Sequence, residues 1–363
     1  MRSSRHGGAL RHVCHGQSPY QPVRVSSLLL VALALVLTAC GTSGGSALAQ
    51  ANQEERENRI GCKVELLPPG SEPYSFFGSD VSHDGESGII GALGSQALGE
   101  GAAAYVVDLL EKTVTGRLPV PPSLEPRSGY GSAVAIHGDT AFVSAPNDSR
   151  HLLRAGVVVR YHRQNGEWHY VEELQPADPR AHANFGRQLA FDGERLVVAA
   201  PGHSDEAVYI FQREEGGWLQ AARLERPASQ RMTADGESLS ASLPVFGTSV
   251  ALNGDRVAVG SSTASADMTG SVHIFRRNGN EWQLEGELHS NLGGDLFGSD
   301  VALEEDLLVV AAPGTVQPGR AIVYQYDGTE WRALLTLEPD QQMASGFAGT
   351  VSLSGRFIAV SSP

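Results

Sequence analysis

The chain has 363 residues, of which 41% are hydrophobic and 19% are charged, so it can build a core and is unlike a disordered protein. Its net charge is −14, and becomes −18 without residues 1–39, which hold four arginines and no acid. So acidic a protein repels phosphate backbones, and nucleic acid is not an expected partner. Three cysteines cannot form a disulfide framework, and no two have the spacing of metal ligands.

The N-terminal region has the layout of an export signal. Residues 26–39 read SSLLLVALALVLTA, an apolar run that follows arginines and is shorter than the ~20 residues of a membrane span. The run ends in Leu37-Thr38-Ala39-Cys40, which resembles the lipobox of bacterial lipoproteins. This resemblance implies a signal peptide over residues 1–39 and acyl chains, such as palmitate, on Cys40. An ordinary cleaved signal ending at Ala47-Leu48-Ala49 is the alternative.

The lipobox resemblance also implies a location. Several acyl chains hold a protein stably in a membrane, and Gly41 after Cys40 resembles the class sorted to the outer membrane. We therefore expect an exported outer-membrane or cell-surface lipoprotein. Residues 40–62 are rich in small and polar residues and read as a flexible tether. Gly41–Gly45 matches the G-x-S-x-G pattern only formally, since no strand or helix pattern flanks it.

One unit recurs through residues 63–363. Six segments align on an aromatic residue at separations of 53, 55, 61, 51 and 50 residues. The next position is glycine in five segments and Ala348 in the sixth, and the position eight residues after the aromatic is glycine in all but Glu305. The position sixteen residues after it is proline in four segments. The pattern is carried by Phe77-Gly78, Tyr130-Gly131, Phe185-Gly186, Phe246-Gly247, Phe297-Gly298 and Phe347, with Pro146, Pro201, Pro313 and Pro363.

Each unit predicts four short strands. Residues 250–261 read as a strand, a tight turn at Asn253-Gly254, where glycine supplies a positive φ, and a second strand. The second strand is apolar throughout, as in residues 307–312, so both of its faces are expected to be covered. The proline then stops it. A third strand and a more alternating outer strand follow, and four short antiparallel strands in about 50 residues are typical of a propeller blade. The four tryptophans occupy one slot, ahead of the outer strand: Trp168, Trp218, Trp282 and Trp331.

The combination of Phe185-Gly186 with Ala199-Ala200-Pro201 resembles the FG-GAP repeat of integrin α-type propellers. The resemblance covers residues 77–363 and implies an all-β protein, a β-propeller of four-stranded antiparallel blades. Six blades are expected, the last one incomplete, whereas seven is usual in the family. A strand at Lys63–Pro68 is expected to complete the last blade. We expect the domain to be truncated at its C-terminus, with a strained or open ring as the alternative.

The resemblance implies calcium in the loop after the second strand, but each of these loops holds at most one carboxylate. We therefore expect no metal and no cofactor, with calcium left open. No catalytic residue is expected: His203-Ser204-Asp205 holds the residue types of a triad, but a triad is assembled by folding. Cys62 is expected to be a packing thiol. The tryptophans are expected to cover blade edges, with carbohydrate stacking as the alternative.

These features favour a lipid-anchored extracytoplasmic propeller that binds a protein or a glycan, or braces an envelope complex, without enzymatic activity. Loops held by a rigid scaffold would form its binding face. The alternative is the propeller part of a larger secreted hydrolase whose catalytic domain is not in this chain.

Overall fold

The structure is a computed structural model that describes residues 76–94, 102–202, 206–227, 245–262, 269–314, 318–339, 346–355 and 357–361. The expected signal peptide, Cys40, the tether and the strand at 63–68 lie outside these residues. All regular secondary structure in the described part is β. It contains no helix that is long and apolar enough to cross a bilayer.

The described strands form five four-stranded antiparallel sheets and one two-stranded sheet, each a meander of consecutive strands. Blade 1 consists of β1 (Phe77–His83), β2 (Ser87–Ala92), β3 (Ala103–Asp108) and β4 (Thr113–Arg117). Blade 2 consists of β5 (Val134–His137), β6 (Thr140–Ala145), β7 (Val157–Gln164) and β8 (Glu167–Leu174). Blade 3 consists of β9 (Leu189–Phe191), β10 (Arg195–Ala200), β11 (Ala207–Glu214) and β12 (Gly217–Leu224).

Blade 4 consists of β13 (Val245–Asn253), β14 (Arg256–Ser262), β15 (Ser271–Asn278) and β16 (Glu281–His289). Blade 5 consists of β17 (Val301–Glu304), β18 (Leu307–Ala312), β19 (Arg320–Tyr326) and β20 (Trp331–Leu337). Blade 6 is represented by β21 (Val351–Ser354) and β22 (Phe357–Val360). The predicted all-β propeller of four-stranded blades is confirmed, and the sixth unit has two described strands, as its sequence indicates.

Burial follows the position of a strand within its blade. All six residues of β6 are buried, and five of six in β10 and in β18, because sheets cover both faces of these second strands. The outer strand β20, in contrast, is exposed at five of its seven residues. The innermost strand starts each unit, and the outermost strand borders solvent.

A hydrophobic core lies between each blade and the next, with the aromatic residue of the repeat at its centre. Tyr130, Phe185, Phe246 and Phe297 are at most 1% exposed. Phe185 packs in one cluster with Phe142 of blade 2 and Tyr209 of blade 3. Because a buried aromatic ring contributes much of the apolar area of a core, each blade depends on its neighbour for stability.

The glycine after the aromatic brings neighbouring blades into backbone contact. Gly131 has a φ of +87°, and a Cβ there would lie 2.4 Å from the carbonyl oxygen of Ala103 in blade 1. Gly298 repeats this arrangement against blade 4, with a φ of +82° and 2.7 Å to Ser271 O. Both the left-handed backbone and the missing side chain are therefore needed.

Candidate ligand-binding pocket on the loop face

The propeller has two faces of different character. We call "turn face" the one that carries the tight turns after the first and third strands, such as residues 138–139 and 165–166. We call "loop face" the one that carries the longer connections after the second and fourth strands, such as residues 146–156 and 175–188. Longer connections on a rigid scaffold are where binding sites concentrate.

Arginines tie the turns of neighbouring blades together on the turn face. The Arg195 Nη1 donates a hydrogen bond to the Gly254 carbonyl of the next blade at 2.9 Å. Arg256, at the equivalent position of blade 4, donates to the Glu305 carbonyl at 3.2 Å and pairs with Asp306 at 2.7 Å. The Nη1 groups of both side chains are therefore engaged in holding the fold.

Side chains of the inner strand β1, and of Asp84 directly after it, accept hydrogen bonds from alternate N–H groups along β5, the inner strand of the next blade, and its turn. The pairs are Val134 N to Asp80 Oδ2 (2.7 Å), Ile136 N to Ser82 Oγ (3.1 Å) and Gly138 N to Asp84 Oδ2 (2.9 Å). Asp300 repeats the role of Asp80 in blade 5 and accepts from Val351 N at 2.9 Å. These bonds pair backbone N–H groups on the strand edges that face the propeller axis, where no further strand is present to pair with them.

Two of these acceptors have displaced pKa values. Burial raises the pKa of Asp80 to about 7, although hydrogen bonds from the Val134 and Val81 amides act in the opposite direction. Burial likewise raises the pKa of Asp300 to about 6. The negative charge of Asp300 raises the pKa of Asp80 by a smaller amount, so the two carboxyl groups interact electrostatically.

A pocket of about 300 Å³ opens on the loop face where blades 3, 4 and 5 meet. Its lining combines a cation, an amide and hydroxyl groups with three apolar side chains. The lining residues are Arg187, Gln188, Pro201, Val245, Thr248, Ser262 and Leu296.

Arg187 and Gln188 stand at the positions two and three residues after the aromatic of blade 3. In other blades these positions serve the fold: Ser79 Oγ donates to Gly131 O at 2.8 Å, and Ser249 Oγ donates to Gly298 O at 2.9 Å. The described part of the chain offers no hydrogen-bond or ion-pair partner to the side chains of Arg187 and Gln188, and Arg187 is exposed. Blade 3 therefore departs from the structural pattern where the pocket opens.

Arg187 and Gln188 are not among the predicted site residues, although the repeat pattern contains a signal for them. The position two residues after the aromatic is a small residue in every unit except blade 3, where it is Arg187. The equivalent residues are Ser79, Ser132, Thr248, Ser299 and Gly349. A long cation in a series of small residues is a local departure of the kind that functional sites produce.

The tryptophans lie away from this pocket, against the preceding blade. Trp218 is 7% exposed and meets the Phe142 ring of blade 2 edge-on, at 5.1 Å between centroids. Trp331 is 8% exposed, and its Nε1 donates to Glu285 Oε2 of blade 4 at 3.2 Å. Trp168 and Trp282 are half-buried in the equivalent cores. Protein contacts thus occupy ring faces that a sugar would need for stacking.

The described loop of blade 2 does not fit a calcium ion. The Asp148 carboxylate, the acid of the blade 2 loop, is buried and held by Arg150 at 2.8 Å, which occupies the place of a cation. No group of three His, Cys, Asp or Glu residues arranged for a metal occurs among the described residues. His203-Ser204-Asp205 and Asp267 lie outside them.

Comparison with known proteins agrees with this architecture. Residues 168–211, from β8 into β11, match the family model described as FG-GAP repeat. A search of curated proteins found no match. The chain is therefore a β-propeller that contains an FG-GAP repeat.

Solved structures show a similar fold at low sequence identity. A candidate 6-phosphogluconolactonase from Bacteroides uniformis aligns with a TM-score of 0.50 and 14% identity, over 76% of this chain and 75% of that one. A second, from Bacteroides fragilis, gives 0.46 and 13% over 72% and 70%. A protein from Lactobacillus plantarum gives 0.48 and 14% over 76% and 75%. At such identity the first likeness shows the fold alone.

Proposed function

We propose that this propeller is a non-enzymatic binding module, anchored at the cell envelope through lipid on Cys40, that takes a glycan unit into the loop-face pocket. The observation that carries the proposal is a group of polar side chains, Arg187, Gln188 and Ser262, that have no partner among the described residues and line a pocket on the face with the longer connections. A pocket of about 300 Å³ lies at the lower end of the range of ligand sites.

The size of the pocket favours a compact ligand unit over a protein surface. A stable protein partner covers a surface of about 800 Å² on each side. This pocket is lined by seven residues, which is far fewer than such a surface contains. One sugar residue at the end or side of a glycan matches it better. The likeness to candidate lactonases supports the fold and supplies no reaction.

Binding through the pocket is tested on an array of neutral and acidic oligosaccharides with the full chain. We expect the protein to retain at least one glycan class, and Ser262→Phe to abolish retention because the ring fills the pocket. The matched control is Asn280→Phe, which adds the same ring to an exposed turn on the turn face. Retention unchanged in Ser262→Phe, or no retention by the unaltered protein, would contradict the proposal.

Anchoring is tested separately by Cys40→Ser. A serine cannot form the thioether that carries the lipid, so the variant should move from the membrane fraction to the soluble extracytoplasmic fraction. Cys62→Ser is the control and should leave the distribution unchanged. A variant that stays in the membrane fraction would show that something other than lipid on Cys40 attaches the protein, and an unaltered protein that is already soluble would favour the ordinary cleaved signal.

A further inference from the structure

We propose that the loop-face pocket selects a sugar that carries a carboxylate, a uronate, and that the guanidinium of Arg187 binds this carboxylate. The inference rests on the proposed function and adds to it the class of ligand. It starts from the charge of the pocket wall: among the seven lining residues one is cationic and none is acidic.

Arg187 differs from most described arginines in having no ion-pair partner among the described residues. Lys and Arg are outnumbered by Asp and Glu, 27 to 41, so acidic partners are plentiful in this chain. In the described part of the chain Arg160, for example, pairs with Glu172 at 2.7 Å, and Arg277 with Asp255 at 2.8 Å. Arg187 has no such partner among the described residues, and its side chain is exposed at the pocket. Its donors are available to an anion from solution.

The number and geometry of the charges favour a carboxylate over a phosphate. A guanidinium donates two parallel hydrogen bonds to the two oxygens of a planar carboxylate. A phosphate of nearly two negative charges is usually bound by several cations, and the lining of this pocket holds one. One guanidinium therefore matches the carboxylate of one sugar unit.

The remaining lining groups suit the hydroxyls and ring of a sugar. The Gln188 amide offers donors and an acceptor, and the Ser262 hydroxyl offers one of each, with no partner in the described part of the chain. Pro201, Val245 and Leu296 add an apolar wall for the C–H face of a pyranose.

The test measures the affinity of the full chain for trigalacturonate and for galactotriose, its neutral counterpart, by isothermal titration. We expect Arg187→Gln to weaken trigalacturonate binding by about 10- to 100-fold, because this is the factor in affinity that a hydrogen bond to a charged group contributes. Galactotriose binding should be unchanged. Arg187→Lys should bind trigalacturonate with intermediate affinity, because an ammonium keeps the charge without the two-pronged geometry.

Arg154→Gln is the matched control, because Arg154 is exposed on the loop face but does not line the pocket. It should leave both affinities unchanged, and equal melting temperatures would show that the variants fold. Equal affinity of the unaltered protein for the two sugars, no effect of Arg187→Gln, or tighter binding of an acidic peptide would overturn the inference. If only neutral glycans bind in the pocket, the uronate inference is wrong but the proposed glycan-binding function stands. If Ser262→Phe changes the binding of no glycan, both the inference and the proposed function are wrong.

Discussion

Gly131→Ala is expected to lower the free energy of unfolding by about 2–5 kcal/mol, and so to remove much of the stability of the protein. An alanine at the left-handed φ of +87° costs about 1–2 kcal/mol. Its Cβ would also lie 2.4 Å from Ala103 O and 3.0 Å from Ala92 O, so blade 2 must move away from blade 1. Forcing such contacts apart in a packed interior adds about 1–3 kcal/mol. Urea denaturation followed by circular dichroism measures the change.

Gly138→Ala is the control, because it separates the backbone cost from the contact cost within the same blade. Gly138 has a φ of +55°, but a Cβ there would have nothing within 4 Å. This variant should lose only the backbone part, about 1–2 kcal/mol. Equal losses in the two variants would show that close approach between blades contributes nothing to the requirement for glycine.

Asp80→Asn is expected to stabilise the protein at pH 8 by on the order of 2–4 kcal/mol and to leave it nearly unchanged at pH 4. The pKa of Asp80 is raised from 3.8 to about 7, so the folded state binds a proton more tightly than the unfolded state. Stability from this group is therefore fully present below pH 3.8 and is lost as the pH rises through 7. Asparagine stays neutral throughout and keeps an oxygen that can accept from the Val134 amide.

The measurement is the urea midpoint between pH 4 and pH 8. The unaltered chain should lose stability across this window, Asp80→Asn should lose less, and a double change with Asp300→Asn should flatten the profile further, since the pKa of Asp300 is about 6. Asp84→Asn is the control, an exposed acceptor on the same side of β1 that should leave the slope in place. A slope unaltered by Asp80→Asn would contradict the assignment.

The blade architecture was predictable because its determinants are local in the chain. The aromatic-glycine pair, the hairpin glycine and the apolar second strand lie within 16 residues of each other in every unit. The backbone keeps its shape even where the residue type departs from the pattern: Glu305 has a φ of 52° and Ala348 a φ of 61°. Neighbouring strands impose these conformations, so the pattern tolerates an exception.

The candidate site was not predictable in this way, because its parts are remote in the chain. Arg187 and Leu296, which line the same pocket, belong to different units, and the bond from Val134 N to Asp80 joins residues 54 positions apart. Which blades adjoin follows from the repeat, but which side chains meet at a blade junction depends on the packing of whole sheets. Only the departure of blade 3 from its sister units was visible in the sequence.

The hydrogen bonds between inner strands and turns have a direction. A side chain of one blade contacts the backbone of its successor, from Asp80 to Val134, from Asn253 to Glu305 and from Glu304 to Gly355. The two flanks of a blade are therefore chemically unlike, as in a heterologous, head-to-tail assembly. Such a flank is not complementary to a second copy of itself, which disfavours two-fold dimers formed through it. The units must also all run in the same sense around the propeller, because a reversed unit could not form these hydrogen bonds.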